Sequence, residues 1–454
     1  MVMESINPAT EEVLDVFEEL TDQQLETALE ASRQGHEAWA RASFSHRRQV
    51  LEQAGRLLRQ EADAHARMIT REMGKPVGEA RGEVEKCAWA CDYYAEQGER
   101  FLAPEPVDTD ASRSYVRYAP LGPVLAVMPW NFPFWQVFRA AAPTLMAGNA
   151  MLLKHASNVP ACAAAIEGIL AEAGLPQGVF QNLPIGSGRV EGVINDPRVR
   201  AVTLTGSETA GRKVAAAAGS ALKKTVLELG GSDPFLVLED ADLDEAARLA
   251  ATARNINSGQ SCIAAKRFIV VDTVADAFVE RLRARLAELP VGDPTAPETR
   301  IGPQARGDLR DTLHRQVRDS VKGGARLLLG GEIPGGKGFF YPPTLLDGVT
   351  EEMPVAREET FGPVAPVLRV PDEEAAVALA NHSRYGLGGA VWSGDRERAE
   401  AVGQRLDVGC VFINGMVKSD PRLPFGGVKA SGYGRELGQH GIREFTNIQS
   451  VWIG

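Results

Sequence analysis

The chain has 454 residues, of which 44% are hydrophobic and 24% are charged. This length predicts two or three domains with a large core, and the composition excludes a disordered or membrane-embedded protein. The formal net charge of −11 opposes binding to phosphate backbones, so the sequence predicts no nucleic-acid partner.

The cysteines and the N-terminus bear on the cellular compartment. The five cysteines are odd in number and widely spread, which favours reduced thiols: Cys87, Cys91, Cys162, Cys262 and Cys410. Cys87 and Cys91 share one face of a helix, but no histidine or second cysteine pair stands at the spacing of metal ligands. We therefore expect no metal site. Acidic residues stand where a targeting peptide would carry positive charge, and no segment is apolar enough to span a bilayer. We therefore expect a cytoplasmic protein without membrane contact.

Taken from the N-terminus, the first predicted element is a helix after Thr21 and Gln24, which have the pattern of a capping box. We expect the first hundred residues to be mostly helical. From about residue 120, short β-type runs alternate with turns and helices, at 124–128, 151–153, 199–204, 235–238 and 268–271. This alternation is typical of parallel sheets built from βαβ units and predicts two α/β domains. Residues 102–118 and the tail after Phe445 are predicted to be extended segments outside both.

Cys262 ends the small, polar run Asn257-Ser258-Gly259-Gln260-Ser261-Cys262. An isolated cysteine is most often a small buried hydrophobic residue. A core cysteine would lie in an apolar periodic run, whereas the residues before Cys262 are flexible and polar and could present its sulfur in a cleft. The pattern favours a nucleophile.

Glu228 interrupts the apolar run Val226-Leu227-Glu228-Leu229-Gly230-Gly231. A buried glutamate without a partner is costly, so an edge position or a salt bridge is one interpretation. A desolvated carboxyl group also has a raised pKa, which suits a general base that works near neutral pH. The spacing alone does not decide between the two.

Two further polar turns follow predicted strands. In Met128-Pro129-Trp130-Asn131-Phe132-Pro133, the prolines fix the backbone around Asn131, whose amide could donate to an oxyanion or could simply occupy a turn. In Leu204-Thr205-Gly206-Ser207, a strand leads into the start of a helix, where backbone N–H groups can bind phosphate. Ordinary βα turns also use glycine, so this second pattern is weak by itself.

Together these segments resemble the aldehyde dehydrogenase superfamily over essentially the whole chain. The family signatures PWNFP, FTGS, ELGG, GQxC and E-x-FGPV correspond to residues 129–133, 204–207, 228–231, 259–262 and 359–364. The resemblance implies a Rossmann-like cofactor domain of residues 1–101 and 119–227, a catalytic domain of 228–430, and an oligomerisation segment of 102–118 and 431–454. It also implies a homo-oligomer, either a dimer or a tetramer.

The resemblance carries roles to individual residues. Cys262 would be the nucleophile, Glu228 the base that activates the hydrolytic water, and Asn131 with the backbone N–H of Cys262 the oxyanion hole. Lys154 and Glu359 would hold the ribose hydroxyls of the cofactor. The other expected cofactor contacts are Trp130, Asn131, His155, Ser157, Gly206, Ser207, Leu229 and Phe361.

Within the superfamily, details resemble the succinate-semialdehyde dehydrogenases. Arg139 matches the position of an arginine that reads a substrate carboxylate, although an ion-paired or solvated helix residue is the alternative. Trp135, Ser261 and Ser419 are the other expected substrate contacts. Ile256 stands where some relatives carry a second arginine, which removes one support for this substrate.

The expected cofactor is NADP, with NAD as the alternative. Ser157 stands where relatives selective for NAD often carry glutamate, which would repel a 2′-phosphate. An acylating dehydrogenase that uses coenzyme A would not need Glu228, and a non-catalytic protein on this scaffold would be expected to lack Cys262 or Glu228. An enzyme that oxidises another semialdehyde or an aliphatic aldehyde stays open as an alternative.

Overall fold

The computed structural model describes residues 2–454 of the chain. Its helices are α1 (Asp22–Trp39), α2 (Phe44–Gln60), α3 (Ala62–Met73), α4 (Val77–Phe101), α5 (Trp135–Met146), α6 (Pro160–Glu172), α7 (Val190–Asn195), α8 (Glu208–Ser220), α9 (Leu243–Asn255), α10 (Asp272–Ala287), α11 (Gly307–Lys322), α12 (Pro354–Arg357), α13 (Glu373–Asn381), α14 (Arg396–Gly403) and α15 (Gly438–Glu444). Two short 3₁₀ helices cover Ser187–Arg189 and Ile256–Gly259.

The strands form two large and three small sheets. They are β1 (Val2–Ile6), β2 (Val13–Glu18), β3 (Glu105–Pro106), β4 (Arg113–Pro120), β5 (Val124–Val127), β6 (Met151–Lys154), β7 (Phe180–Asn182), β8 (Ala201–Thr205), β9 (Lys224–Glu228), β10 (Asp233–Val237), β11 (Ala265–Val271), β12 (Arg326–Leu329), β13 (Thr344–Asp347), β14 (Val364–Val370), β15 (Tyr385–Gly386), β16 (Gly388–Trp392), β17 (Cys410–Ile413), β18 (Val428–Lys429), β19 (Gly432–Tyr433) and β20 (Thr446–Ile453).

The N-terminal region is helical except for its first residues. The side chain of Thr21 accepts the backbone N–H of Gln24 at 3.2 Å, and the Gln24 side chain accepts the backbone N–H of Thr21 at 2.8 Å. This confirms the predicted capping box at the start of α1. The antiparallel hairpin of β1 and β2 precedes it and was not predicted, since its exposed, partly charged strands lack a clear apolar alternation.

The first large sheet has six strands in the order β19-β9-β8-β5-β6-β7. Strands β5 to β9 pair in parallel, and most of their residues are buried, as expected where helices cover both faces of a sheet. The second has seven strands in the order β12-β13-β14-β11-β10-β16-β17, parallel except at β12. The fold is therefore α/β with two parallel-dominated sheets, as the sequence predicted.

A third sheet stands apart from these two and has the order β20-β4-β3. Strand β20 pairs with β4 in antiparallel register from Thr446 opposite Pro120 to Ile453 opposite Arg113. The predicted oligomerisation segment of 431–454 is not uniform, because β19 joins the first large sheet beside β9 and α15 contacts α4 and α5. The extended part of that segment is thus β20 with its partners.

Candidate active site

Cys262 lies where two cavities meet. A cavity of about 540 Å³ is lined by residues of α4, α5 and α9, and a second of about 240 Å³ by the turns that follow β5 and β8. Cys262 and Gln136 line both. A reagent in one cavity and a reagent in the other would therefore both reach the same sulfur, which is the arrangement that a two-substrate reaction at a thiol requires.

The backbone before Cys262 is strained. Asn257 and Ser258 both have φ of 54° inside the 3₁₀ helix Ile256–Gly259, a left-handed conformation that costs energy in any residue with a side chain. A side-chain oxygen of Glu79 accepts the backbone N–H of Asn257 at 2.6 Å. The guanidinium of Arg254 donates to the carbonyl of Gly259 at 2.7 Å. These contacts hold the turn in the conformation that directs Cys262 towards the cavities.

Burial controls the acidity of the Cys262 thiol. Burial raises the pKa of Cys262 to about 12. The positive charges of Lys266 and Arg139 act in the opposite direction and lower this pKa. The ammonium of Lys266 donates to the Cys262 carbonyl at 2.6 Å, so this charge is held close to the residue. At neutral pH the group is therefore a thiol, and it needs a base before it can act as a nucleophile.

Glu228 is the last residue of β9 and lies in the wall of the smaller cavity with Cys262. Its side chain is buried, and neither carboxyl oxygen accepts a hydrogen bond from residues 2–454. Burial raises its pKa well above the usual value, a shift that Arg139 opposes and the neighbouring Glu436 reinforces. An unpaired carboxyl group with a raised pKa has the properties of a general base.

Asn131 is fixed beside this pair by the turn that follows β5. The side-chain N–H of Asn131 donates to the carbonyl of Gln260 at 3.1 Å. The backbone carbonyl of Asn131 accepts a hydrogen bond from the side chain of Asn257 at 2.7 Å. Both contacts join it to the turn that carries Cys262. The side-chain amide of Asn131 therefore lies against the turn that carries Cys262, with one N–H left to donate to another acceptor.

The smaller cavity has the character of a nucleotide site. Trp130, Gly206, Ser207, Leu229, Glu359 and Phe361, all predicted to contact the cofactor, line it. The rings of Trp130 and Phe361 meet edge to face at 5.7 Å. Ser207 caps α8, a helix of thirteen residues, and the preceding Gly206 has no side chain to fill the space above the helix start. Backbone N–H groups at such a helix start fit a pyrophosphate.

Glu359 is held by the protein before any ligand binds. It accepts the backbone N–H of Gly231 at 3.0 Å and pairs with Lys266 at 3.1 Å. A side chain on Gly230 would come within 2.4 Å of a Glu359 carboxyl oxygen, so the paired glycines of the ELGG motif are needed for this approach. The same motif thus supplies Glu228 and makes room for Glu359.

Strand β6 is adjacent to β5 in the sheet and ends at Lys154, and His155 and Ser157 follow it. All three residues lie outside the smaller cavity. The ammonium of Lys154 donates to the His155 carbonyl at 2.8 Å, and Ser157 is exposed. His155 is buried, and its two ring nitrogens contact the Pro133 carbonyl at 2.9 Å and the Ala156 N–H at 2.8 Å. Both ring nitrogens are thus engaged with backbone groups, and the cofactor contact of His155 stays a prediction.

The larger cavity contains all four predicted substrate contacts: Trp135, Arg139, Ser261 and Ser419. Arg139 is buried and forms an ion pair with Glu436, and it also donates to the hydroxyl of Thr205 at 3.1 Å. Its charge is thus already balanced. The role of Arg139 as the partner of a substrate carboxylate stays a prediction, and this pairing matches the alternative that the sequence left open.

The sequence analysis missed a face of α4 that forms part of this cavity. Glu79, Gly82, Glu83 and Lys86 line it, at positions separated by three, one and three residues. That spacing places them on one side of a helix, and it was readable from the sequence. No motif marked them, because charged residues on one face of a helix usually indicate a solvated surface.

Two absences hold for the described part of the chain, residues 2–454. No helix there is long and apolar enough to cross a membrane. No group of three or more histidine, cysteine or acidic side chains there is arranged to hold a metal ion.

Comparison with known proteins gives one family. The profile described as the aldehyde dehydrogenase family matches residues 1–451. A succinate-semialdehyde dehydrogenase (NADP(+)) of Mycobacterium tuberculosis is 50% identical over all of both chains. A succinate semialdehyde dehydrogenase (NAD(P)+) of Escherichia coli is 50% identical over 99% of this chain and 97% of its own. The crystal structure of succinic semialdehyde dehydrogenase from Streptococcus pyogenes with NADP+ is similar with a TM-score of 0.97, at 41% identity over 99% of both chains.

Proposed function

The chain belongs to the aldehyde dehydrogenase family, and from this premise we propose that it oxidises succinate semialdehyde to succinate with NADP. The observation that carries the proposal is the position of Cys262 between two cavities, with Glu228 and Asn131 beside it. The names of the relatives support the substrate and the cofactor. The chain is similar to them over almost the full length of each.

The first half of the reaction begins with the proton of Cys262. Glu228 lines the same cavity and can take this proton, which gives a thiolate. The sulfur then bonds to the aldehyde carbon, and the carbonyl π electrons move to oxygen. Asn131 donates to the resulting oxyanion; loss of one such donor typically costs about 3 to 4 kcal/mol of transition-state stabilisation. The nicotinamide, when bound, supplies the acceptor for the hydride that this carbon loses.

The second half is hydrolysis of the thioester on Cys262. Glu228 first releases the proton of Cys262 to solvent. Its carboxylate then takes a proton from water, the hydroxide adds to the thioester carbon, and the thiolate of Cys262 leaves with the electrons of the broken bond. The product is a carboxylic acid, and the cysteine is free again. The unpaired oxygens of Glu228 suit both steps, since no protein donor competes for the proton they accept.

The cofactor proposal rests on Ser157 and on the smaller cavity. Ser157 is exposed beyond β6 and carries no charge that would repel a 2′-phosphate, while the Lys154 ammonium lies three residues before it. Ser157→Glu should reduce the ratio of kcat/KM for NADP over that for NAD, because the carboxylate repels the phosphate and accepts from the ribose hydroxyls. A ratio that does not change would remove Ser157 from cofactor selection.

We also propose that the chain forms a homo-oligomer. Strand β20 is the edge of the third sheet, and β17 is the edge of the second large sheet, so both present unpaired backbone groups. Ile448 and Trp452 of β20 are 62% and 60% exposed. A second copy that pairs with these edges would cover them.

The decisive experiment measures formation of reduced cofactor, by absorbance, with succinate semialdehyde and either NADP or NAD. The wild-type chain should be active, and Cys262→Ala should be inactive with an unchanged circular dichroism spectrum. Cys162→Ala is the matched control, since Cys162 is buried in α6 outside both cavities, and it should retain activity. Oxidation by the Cys262 variant would contradict the proposed mechanism.

A further inference from the structure

The larger cavity is lined by four cations, and their surroundings differ. They are Lys86, Arg139, Arg300 and Lys418. Arg139 is paired with Glu436, as described above. Arg300 and Lys418 are exposed, so water solvates and screens their charges. Lys86 is partly buried, and its ammonium nitrogen lies 4.3 Å from the centre of the Trp135 ring, inside the cavity wall.

The carboxylates nearest to Lys86 are engaged elsewhere. Glu83 pairs with Lys75 and also accepts the backbone N–H groups of Phe134 and Trp135, both at 2.9 Å. Asp420 pairs with Arg422 at 2.7 Å. Lys86 itself forms no salt bridge with residues 2–454. A partly desolvated ammonium without a counter-charge favours binding of an anion.

Ser419 adds a directed donor at the same point. Its hydroxyl oxygen accepts from the Lys86 ammonium at 2.8 Å and from the Trp135 indole N–H at 3.1 Å. A hydroxyl oxygen has two lone pairs, so both are used, and its own proton is left to donate to another group. Lys86 likewise has two N–H groups beyond the one given to Ser419. These donors all belong to residues that line the cavity.

We propose that Lys86 and the Ser419 hydroxyl together bind the distal carboxylate of the substrate, and that Lys86 is the residue that selects an acidic aldehyde. This inference rests on the proposed function. Phe132, Ile256 and Ile263 line the same cavity and suit the methylene groups between the two ends of the substrate. Lys86 thus takes the role that the sequence analysis gave to Arg139, and Ile256 needs no arginine in its place.

The test compares succinate semialdehyde with its methyl ester, which has the same chain but no charge, in the wild type and in Lys86→Met. Methionine keeps the apolar contact with Trp135 and removes the charge. We expect kcat/KM for the acid to fall by about ten- to a hundredfold, the scale of a lost charge-assisted hydrogen bond, and kcat/KM for the ester to change little. Lys86→Arg should keep more of the preference for the acid than Lys86→Met.

A second readout separates binding from turnover. Succinate should compete with the aldehyde in the wild type, and its inhibition constant should rise in Lys86→Met by a factor similar to that lost in kcat/KM. If the wild type does not prefer the acid over the ester, the proposed function fails. If the wild type prefers the acid and Lys86→Met keeps that preference, the assignment of Lys86 is wrong. Loss of the preference only in Arg139→Met would assign the subsite to Arg139.

Discussion

At the scale of single residues, burial sets the chemistry of the two reacting groups. Removal from water raises the pKa of Cys262 to about 12 and the pKa of Glu228 well above its usual value. In the proposed mechanism both groups act in their deprotonated forms. The deprotonated fraction of each group rises as the pH rises towards its pKa. The site therefore favours turnover at alkaline pH, where a larger fraction of Glu228 is the carboxylate that can take the proton of Cys262.

The role of Glu228 can be isolated by Glu228→Gln. The amide cannot take a proton from Cys262 or from water, so this variant is measured at alkaline pH. There, solvent hydroxide can still ionise the thiol, and the thioester on Cys262 should form and then persist. Rapid mixing should then show a burst of at most one reduced cofactor per active site, followed by a steady rate reduced by about a hundredfold or more. Glu245→Gln, which changes a half-exposed carboxylate on α9 outside both cavities, is the control and should behave as the wild type. Full steady turnover in Glu228→Gln would exclude it as the base.

Lys86 gives a prediction about pH. Burial, with a smaller effect from the charge of Arg139, lowers the pKa of Lys86 to about 8, while Cys87, Asp420 and Glu83 oppose this shift. The cation that binds a carboxylate is present below this pKa and is lost above it. The ratio of kcat/KM for succinate semialdehyde to that for its methyl ester should therefore fall as the pH rises through about 8.

The ratio cancels the titration of Cys262 and Glu228, which affects both substrates equally. In Lys86→Met the ratio should be low and should not depend on pH over this range. A ratio in the wild type that stays constant from pH 7 to pH 10, about one unit below and two above the lysine pKa, would contradict the assignment.

At the scale of elements, the turn at 256–262 places the proposed nucleophile Cys262 in the wall of both cavities. Helix α9 ends at Asn255, and Asn257 and Ser258 then take left-handed backbone conformations that no right-handed helix or strand would provide. Gly259 also has a left-handed backbone conformation, with φ of +77°. Its α-carbon lies so close to Gly362 that a side chain at position 259 would come within 2.2 Å of the Gly362 carbonyl carbon. The turn thus packs directly against the segment that follows Glu359.

Gly259→Ala should lower both stability and activity. The left-handed conformation costs about 1 to 3 kcal/mol in a residue with a side chain, and relief of the contact with Gly362 would displace Cys262. Such a displacement typically reduces kcat by about a hundredfold. Gly192→Ala is the matched control, because it lies in α7 with no atom near the new side chain and has no left-handed φ. Thermal unfolding and kcat would be measured for both, and equal effects would contradict the role of the turn.

At the scale of the whole molecule, the two parallel sheets place the two cavities on either side of Cys262. The first sheet contributes Asn131 after β5, Gly206 after β8 and Glu228 at the end of β9. These are the carboxyl ends of its strands, where α/β proteins bind ligands. The second sheet contributes the turn before β11, which carries Cys262. Neither sheet alone contributes both the proposed nucleophile and the proposed base.

The third sheet has no part in this site, and its exposed edge predicts self-association. The double substitution of Ile448 and Trp452 by glutamate should lower the molar mass measured by light scattering, because charges at a paired edge strand oppose docking. Leu222→Glu is the control, since Leu222 is 95% exposed and lies outside this sheet. An unchanged mass in the double variant would place the contact between copies on another surface.

The sequence by itself determined the family and the α/β class, and it predicted Cys262, Glu228 and Asn131 as the catalytic residues. Each belongs to a short motif in which adjacent residues carry the information: prolines around Asn131, glycines after Glu228, and a small polar run before Cys262. Local patterns of this kind are readable because backbone conformation and strand periodicity depend on near neighbours.

Only the tertiary structure decided which charges are free. Arg139 and Glu436 form an ion pair although they are 297 positions apart in the sequence. Lys86 and Ser419 are 333 positions apart and form a hydrogen bond at the cavity. No local sequence pattern shows either contact. The same holds for His155, whose ring nitrogens are occupied by backbone groups that the fold brings to it. A charge is available to a ligand only where folding leaves it without a partner, and partners distant in sequence become known only when the chain is folded.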